Sequence, residues 1–73
     1  MIPVVRRRRL LGEAIRTYRK RAGLSQEKLA EKADLHPVYI SAVERGVKTI
    51  SVDALLRVAD ALRVSLSDLV RDL

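Results

Sequence analysis

The side chains of this sequence can bind phosphate and donate hydrogen bonds, but they lack the groups that most catalytic and metal sites need. The 73 residues include no cysteine and a single histidine, His36. Zinc sites take several Cys or His ligands, and nucleophilic catalysis needs an activated nucleophile beside a base. The sequence also has no glycine-rich loop of the kind that cradles nucleotide phosphates. It therefore predicts no enzymatic activity, no metal and no cofactor.

Cationic side chains are concentrated at one end of the sequence. The net charge is +6, and residues 1–28 hold nine Lys or Arg against two acidic residues, whereas residues 29–73 hold six against seven. This distribution favours a polyanionic partner, either nucleic acid or an anionic membrane. The run Arg6–Arg9 is interpreted as a flexible arm on DNA phosphates, a nonspecific anchor or a solvated first turn. Because like charges in series disfavour the start of a helix, we expect this run to be partly disordered without DNA.

Five short helices must position these side chains. Leu, Ala, Val and Ile recur at helical spacing, and only short β-branched patches indicate strand. The first helix is expected to run from about Arg8 to Arg21, with Gly23 as its C-terminal cap. The other four helices are expected to begin at Ser25, Pro37, Ser51 and Ser65.

The chain is expected to form one all-α domain. Residues 1–9 are interpreted as a basic N-terminal arm and residues 10–73 as the domain itself. No apolar run reaches the ~20 residues that span a bilayer, so we expect no membrane partner and a cytoplasmic location. A core this small needs close helix packing or a dimer for its stability, because disulfides are excluded. In the fourth helix, the residues expected to face the core are Val52, Leu55, Leu56, Ala59 and Leu62.

The segment from Gln26 to Gly46 indicates the function of the helices. Two short helices are separated by a turn of about three residues, so they should cross steeply rather than lie antiparallel. Ala30 and Ala33 are small enough to let the helices approach at the crossing. The crossing exposes one face of the third helix, whose N-terminal end can enter a DNA major groove about 12 Å wide.

Four strings at matching spacing resemble the Cro/repressor-type helix-turn-helix family, also called the XRE family. The resemblance covers about Leu10 to Val70 and implies a compact five-helix, lambda-repressor-like domain with the helix-turn-helix at helices 2 and 3. It implies a sequence-specific, double-stranded DNA-binding transcriptional regulator, and the third string is also similar to controller proteins of restriction–modification systems. The strings are Leu11-Gly12-x-x-Ile15-Arg16, Gly23-Leu24-Ser25-Gln26-x-x-Leu29-Ala30, Tyr39-Ile40-Ser41-x-x-Glu44-Arg45-Gly46 and Leu55-x-x-Val58-Ala59-x-Ala61-Leu62-x-Val64.

The resemblance implies roles for individual residues at and around the third helix. Pro37, Val38 and Ala42 cannot make the bidentate hydrogen bonds by which Arg, Asn or Gln recognise purines, but they can touch thymine methyl groups. A solvated loop is the alternative role for Lys48 and Thr49. The expected base contacts are His36, Pro37, Val38, Ser41 and Ala42. The expected phosphate contacts are Gln26, Tyr39, Arg45, Lys48, Thr49 and Ser51.

Two further positions are interpreted as structural. In the family, an arginine of the first helix pairs with the glutamate before Arg-Gly, which implies an ion pair between Arg19 and Glu44. Asp34 departs from the family, because many members have glycine in the turn between the two helices. Since Asp adopts a left-handed backbone more readily than most residues, the substitution is expected to be tolerated.

A homodimer on a pseudo-palindromic operator is the expected assembly. Operators of such domains are two half-sites about one helical turn apart. The last helix is also more apolar than a terminal helix of a monomer needs, although its apolar stripe could instead only cap the core. The expected dimer-interface residues are Val64, Leu66, Leu69, Val70 and Leu73.

A second function class fits part of the sequence, namely a helical protein-interaction module such as an adaptor or an antitoxin-like partner. Such a module would lack sequence-specific DNA binding and would not need Gln26 or the basic flank of the third helix. RNA binding would require aromatic stacking platforms, and Tyr18 and Tyr39 are the only aromatic residues. We therefore expect a dimeric repressor or controller that binds DNA.

Overall fold

A computed structural model describes residues 2–73, and its regular structure consists of five α-helices with no strand in that range. Met1 lies outside the described residues. The predicted all-α, five-helix architecture is therefore confirmed. Within residues 2–73, no helix has the length and apolar composition that crossing a membrane requires. The helices are α1 (Val4–Arg21), α2 (Gln26–Ala33), α3 (Pro37–Glu44), α4 (Val52–Leu62) and α5 (Leu66–Val70).

Helix α1 begins at Val4, about one turn before the predicted start at Arg8. The basic run Arg6–Arg9 therefore forms the first turns of α1. The expectation that this run is a partly disordered arm is wrong for residues 4–9, which belong to the helix. Arginine has a high intrinsic helix propensity. Val4 also lines an apolar groove together with Val43 of α3. Both effects oppose the repulsion within the run and allow the helix to extend.

Serine caps begin three of the later helices, at the predicted positions. The hydroxyl oxygens of Ser25, Ser51 and Ser65 each accept a hydrogen bond from a backbone N–H three residues ahead. At α5 the cap is reciprocal, because the Asp68 carboxylate accepts from the Ser65 N–H at 3.1 Å. The side chain and then the backbone N–H of Ser65 lower the pKa of Asp68. The cap is therefore complete above the ordinary pKa of an aspartate and weakens as the pH falls through the lowered value.

The hydrophobic core lies where α2 and α4 pack on α1 and α3. From α4, Leu55, Ala59 and Leu62 face the core as predicted, but Val52 and Leu56 are exposed. The prediction was wrong for these two because Val52 is the first residue of α4 and Leu56 lies about 100° around the helix from Leu55. The largest fully buried side chains are Ile15, Leu29, Ile40, Val58 and Leu69.

Leu69 belongs to this core and does not form a dimer surface. Its side chain is 1% exposed. Helix α5 has only five residues and packs on both α1 and α4, so one of its side chains must fill the space beneath it. The assignment of Leu69 to a dimer interface is therefore wrong. The other four predicted interface residues keep some exposed surface: Val64, Leu66, Val70 and Leu73.

The backbones of helices α1 and α3 approach each other closely at Gly12. A Cβ atom built on Gly12 would lie 2.6 Å from the carbonyl oxygen of Glu44 and still closer to that of Val43. Because both atoms are backbone, neither can rotate away as a side chain could. The absence of a side chain at Gly12 therefore sets the distance between the two helices.

A buried polar network joins the same two helices. Arg19 of α1 donates to both carboxylate oxygens of Glu44, from Nε at 2.6 Å and from Nη2 at 3.0 Å. The third guanidinium nitrogen of Arg19 donates to the Leu24 carbonyl at 2.8 Å. Gln26, the first residue of α2, donates from Nε2 to Glu44 Oε1 at 3.0 Å. The Glu44 carboxylate thus connects α3 to α1 and α2.

We predict that Gly12→Ala destabilises the domain. The added methyl group would overlap two backbone carbonyls, and overpacking of this kind costs about 1–3 kcal/mol of unfolding free energy. Urea unfolding followed by circular dichroism measures the change. Glu13→Ala is the matched control, because Glu13 is exposed on the same helix and its truncation should change stability by less than about 0.5 kcal/mol. Equal midpoints for the two variants would contradict the prediction.

We predict that Glu44→Ala lowers the free energy of unfolding by about 3–5 kcal/mol, because it leaves the Arg19 guanidinium buried without its counter-ion. The control is Glu31→Ala, which removes the same charge from an exposed pair with Lys28 at 3.5 Å. That pair should contribute less than about 0.5 kcal/mol. Thermal melts of both variants test the difference, and a Glu44→Ala curve that superimposes on that of Glu31→Ala would rule it out.

Candidate nucleic-acid interface

The N-terminal end of α3 is exposed and is capped by a histidine rather than by a serine. His36 Nδ1 accepts a hydrogen bond from the Val38 N–H at 3.1 Å, and Pro37 occupies the first helical position. With Nδ1 as the acceptor, this hydrogen bond assigns the proton of the neutral imidazole to Nε2. The cap therefore leaves His36 with one N–H that can donate to a ligand.

Three of the five residues predicted to contact bases meet in one open groove at this end of α3. Val38 and Ala42 are four residues apart, so they lie on the same helical face. Pro37 and Ser41 are half-buried and do not line the groove. We call this surface the α3 groove, and it is lined by His36, Val38, Tyr39, Ala42 and Lys48.

Tyr39 connects α3 to the start of α4. Its hydroxyl oxygen accepts from the Ser51 N–H at 3.2 Å, and its O–H faces the Thr49 carbonyl at 3.4 Å. The second distance exceeds the 2.5–3.0 Å of a good O–H···O hydrogen bond, so the hydrogen bond from Tyr39 to Thr49 is weak. The Lys48 ammonium lies 5.8 Å from the centre of the Tyr39 ring, within cation–π range. These contacts position the loop between α3 and α4 against α3.

The remaining predicted phosphate contacts lie near the C-terminal end of α3 and in the loop after it. Gln26 lies at the start of α2, where one of its two amide N–H groups donates to Glu44 and the other has no partner within the described residues. Arg45 is exposed directly after α3, and Lys48, Thr49 and Ser51 are exposed in the loop that follows. These donors and cations therefore lie at the C-terminal end of α3 and in the loop that follows it.

The basic run of α1 lies beside the same loop. Arg7 and Arg8 line a groove together with Lys48 and Thr49. The loop after α3 and helix α1 approach closely at Gly46, because a Cβ atom there would lie 3.0 Å from the Arg9 Cα. Among the described residues, no acidic side chain lines this groove or the α3 groove. Lys48 lines both grooves, so the cations of α1 and of the loop lie next to each other.

Arg57 contributes to this geometry and was not among the predicted residues. Asp34, in the turn between α2 and α3, has a left-handed backbone with φ of 55°. Arg57 of α4 donates from Nη1 to the Asp34 carbonyl at 3.0 Å and lies 3.3 Å from the Asp53 carboxylate. Its i, i+4 spacing from Asp53 is visible in the sequence, but the contact with Asp34 depends on the folded chain. Arg57 thus helps to hold the turn at which Asp replaces glycine.

Comparison with known proteins adds independent evidence. Residues 15–69 match the helix-turn-helix family HTH_3. The chain is similar to the control protein C.BamHI of Bacillus amyloliquefaciens, with 42% identity over 64 residues that cover 86% of this chain and 79% of that protein. A second control protein, C.SmaI of Serratia marcescens, is 41% identical over 61 residues, covering 84% of this chain and 73% of that protein.

Solved structures agree with the sequence relatives. The restriction–modification controller protein C.AhdI from Aeromonas hydrophila superimposes with a TM-score of 0.83 at 35% identity, covering 85% of this chain and 94% of that one. The regulator SinR in complex with DNA gives a TM-score of 0.78 at 38% identity, covering 81% and 95%. The predicted fold and function class, a sequence-specific DNA-binding regulator rather than an enzyme, are confirmed. This chain belongs to the helix-turn-helix family of DNA-binding transcriptional regulators.

Proposed function

We propose that this protein is a homodimeric transcriptional controller or repressor that binds a pseudo-palindromic operator, with the start of α3 in the major groove. The observation that carries this proposal is the open α3 groove, with Lys48 in its lining and further donors at the C-terminal end of α3. Phosphate contacts by these groups would hold α3 in the major groove, and the exposed residues at its start would then meet base edges.

Base recognition falls to the exposed start of α3 and uses few hydrogen bonds. His36 Nε2 and the Ser41 hydroxyl are the polar groups that would reach base edges. Pro37, Val38 and Ala42 offer only apolar surface, for which the methyl group of thymine is the matching feature in the major groove. The operator is therefore expected to contain thymine at the positions these residues touch.

Phosphate binding is assigned to groups that keep a free donor. The second amide N–H of Gln26 and the exposed Arg45 and Lys48 side chains meet this condition. Tyr39 joins them because a phosphate oxygen is a stronger acceptor than the Thr49 carbonyl that its hydroxyl now faces at 3.4 Å. Arg6–Arg9 would add attraction at longer range, and the hydroxyls of Thr49 and Ser51 complete the set.

Dimerisation is assigned to the exposed side of α5. Leu66 is 36% exposed although it is a large apolar residue, and it directly follows the Ser65 cap. Val64, Val70 and Leu73 are half-buried and would be covered further by a partner. A symmetric partner would also enlarge a core that has no disulfide to support it.

We predict specific and salt-sensitive binding to a duplex selected from a random DNA pool. A dimer with about 6–10 phosphate contacts should lose about 10³–10⁵ in affinity between 50 and 200 mM salt. Arg45→Ala should weaken binding to all duplexes alike and reduce the slope of log K against log salt by about 1 per protomer.

Arg21→Ala is the matched control for Arg45→Ala. Arg21 lies 5.4 Å from the centre of the Tyr18 ring and lines a groove with Arg71 and Asp72, away from α3. The Arg21→Ala substitution removes the same charge and should leave the slope of log K against log salt nearly unchanged. A flat salt profile for the wild type, or equal slopes for the two variants, would refute the assignment.

We predict that Leu66→Lys dissociates the dimer, because symmetry would bring the new charge close to its own copy in an apolar interface. Sedimentation at micromolar concentration should give a dimer for the wild type and a monomer for the variant, with helix content retained. Val5→Lys adds the same charge at an exposed valine of α1 and should remain dimeric. A monomeric wild type at all concentrations would show that the α5 surface has no such role.

A further inference from the structure

The floor of the α3 groove is apolar at a place where DNA-binding surfaces usually present hydrogen-bonding groups. Val38 is 66% exposed, and Ala42 lies one turn further along the same face. The Tyr39 hydroxyl, which is assigned to phosphate, accepts from the Ser51 N–H and faces the Thr49 carbonyl. The part of the floor formed by Val38 and Ala42 therefore has no side-chain donor or acceptor with which to distinguish the polar edges of bases.

We propose that the α3 groove binds the C5 methyl group of a pyrimidine and accepts 5-methylcytosine in place of thymine, so that binding to a half-site with cytosine at that position depends on methylation of the cytosine. This inference rests on the proposed function, because it assumes that α3 occupies the major groove. It assigns a ligand to the groove, the methyl group itself, whether that methyl belongs to a thymine or to a modified cytosine.

The chemistry of the two bases supports this equivalence. In the major groove, thymine presents the C5 methyl and the O4 acceptor, whereas cytosine presents the N4 amino donor and no methyl group. 5-Methylcytosine carries the methyl at the same position as thymine. Val38 and Ala42 contact a methyl group equally well in either base, since neither side chain can bond to O4 or to N4.

The polar groups at the rim of the groove do not distinguish thymine from 5-methylcytosine. His36 offers an N–H at Nε2, whereas the Lys48 ammonium is assigned to phosphate. The His36 N–H is a donor, and both base pairs present acceptors to it. The thymine–adenine pair has O4 and N7, and the methylcytosine–guanine pair has O6 and N7 of guanine. A donor at the rim thus finds a partner in each pair.

The test uses the duplex selected from a random pool and replaces each thymine of the half-site in turn by uracil, cytosine or 5-methylcytosine. At a position in contact with the groove, uracil should lower affinity about four-fold per half-site, the effect of one buried methyl group. Cytosine should lower it at least as much. 5-Methylcytosine should regain at least that four-fold factor relative to cytosine.

A variant pair links the methyl effect to the groove itself. Val38→Ala should reduce both affinity ratios, thymine over uracil and 5-methylcytosine over cytosine, towards 1. The matched control is Val47→Ala, because Val47 is 63% exposed in the loop after α3 and does not line the groove. The control should keep both ratios at their wild-type values.

The outcomes separate this inference from the proposed function. A pool from which no duplex is enriched overturns the proposed function and this inference with it. A duplex that is enriched and bound specifically, but in which cytosine and 5-methylcytosine are equivalent at every thymine position, overturns only the methyl inference. Unchanged ratios in Val38→Ala would also overturn it, since the methyl group would then be bound elsewhere.

Discussion

The position of α3 depends on the bidentate contact between Arg19 and Glu44, made at the place where Gly12 lets α1 and α3 touch. The contact is directional, because a planar guanidinium that bonds both carboxylate oxygens admits a single relative orientation. Apolar packing alone would hold α3 in the core but leave it free to roll about its axis. Gln26 extends the constraint to α2, so α1, α2 and α3 share one carboxylate.

The stabilising and the recognising residues of α3 lie on different faces. Ile40, Val43 and Glu44 are buried, whereas His36 and Val38 are exposed. Within this eight-residue helix the buried residues Ile40, Val43 and Glu44 anchor α3, and Val38 is the one exposed position. The cationic side chains of the loop after α3 and of the first turns of α1 extend the exposed surface, while Ile50 of that loop packs against the core.

Local signals in the sequence predicted much of this arrangement. Serine caps, the glycine after α1 and the spacing of the helix-turn-helix strings are each determined within a few residues, and the structure has the helices where they indicate. The failures concern contacts between distant residues. The start of α1 at Val4 lies beside the apolar groove that Val43 also lines, the burial of Leu69 depends on α1 and α4, and the role of Arg57 depends on Asp34. Periodicity identifies an apolar residue but cannot tell which of two surfaces will cover it.

The division of α3 into two faces has a consequence for how such proteins diverge. On the proposed function, substitutions at Val38 or Ala42 would alter what the domain recognises while leaving the buried contacts of Glu44 and Ile40 in place. A duplicated copy of this gene could therefore acquire a new set of target promoters through one or two surface changes, with no loss of thermal tolerance to be repaired elsewhere. A change in the bound DNA sequence would then have little effect on folding. Related regulators in one cell could come to bind separate sets of promoters after few substitutions.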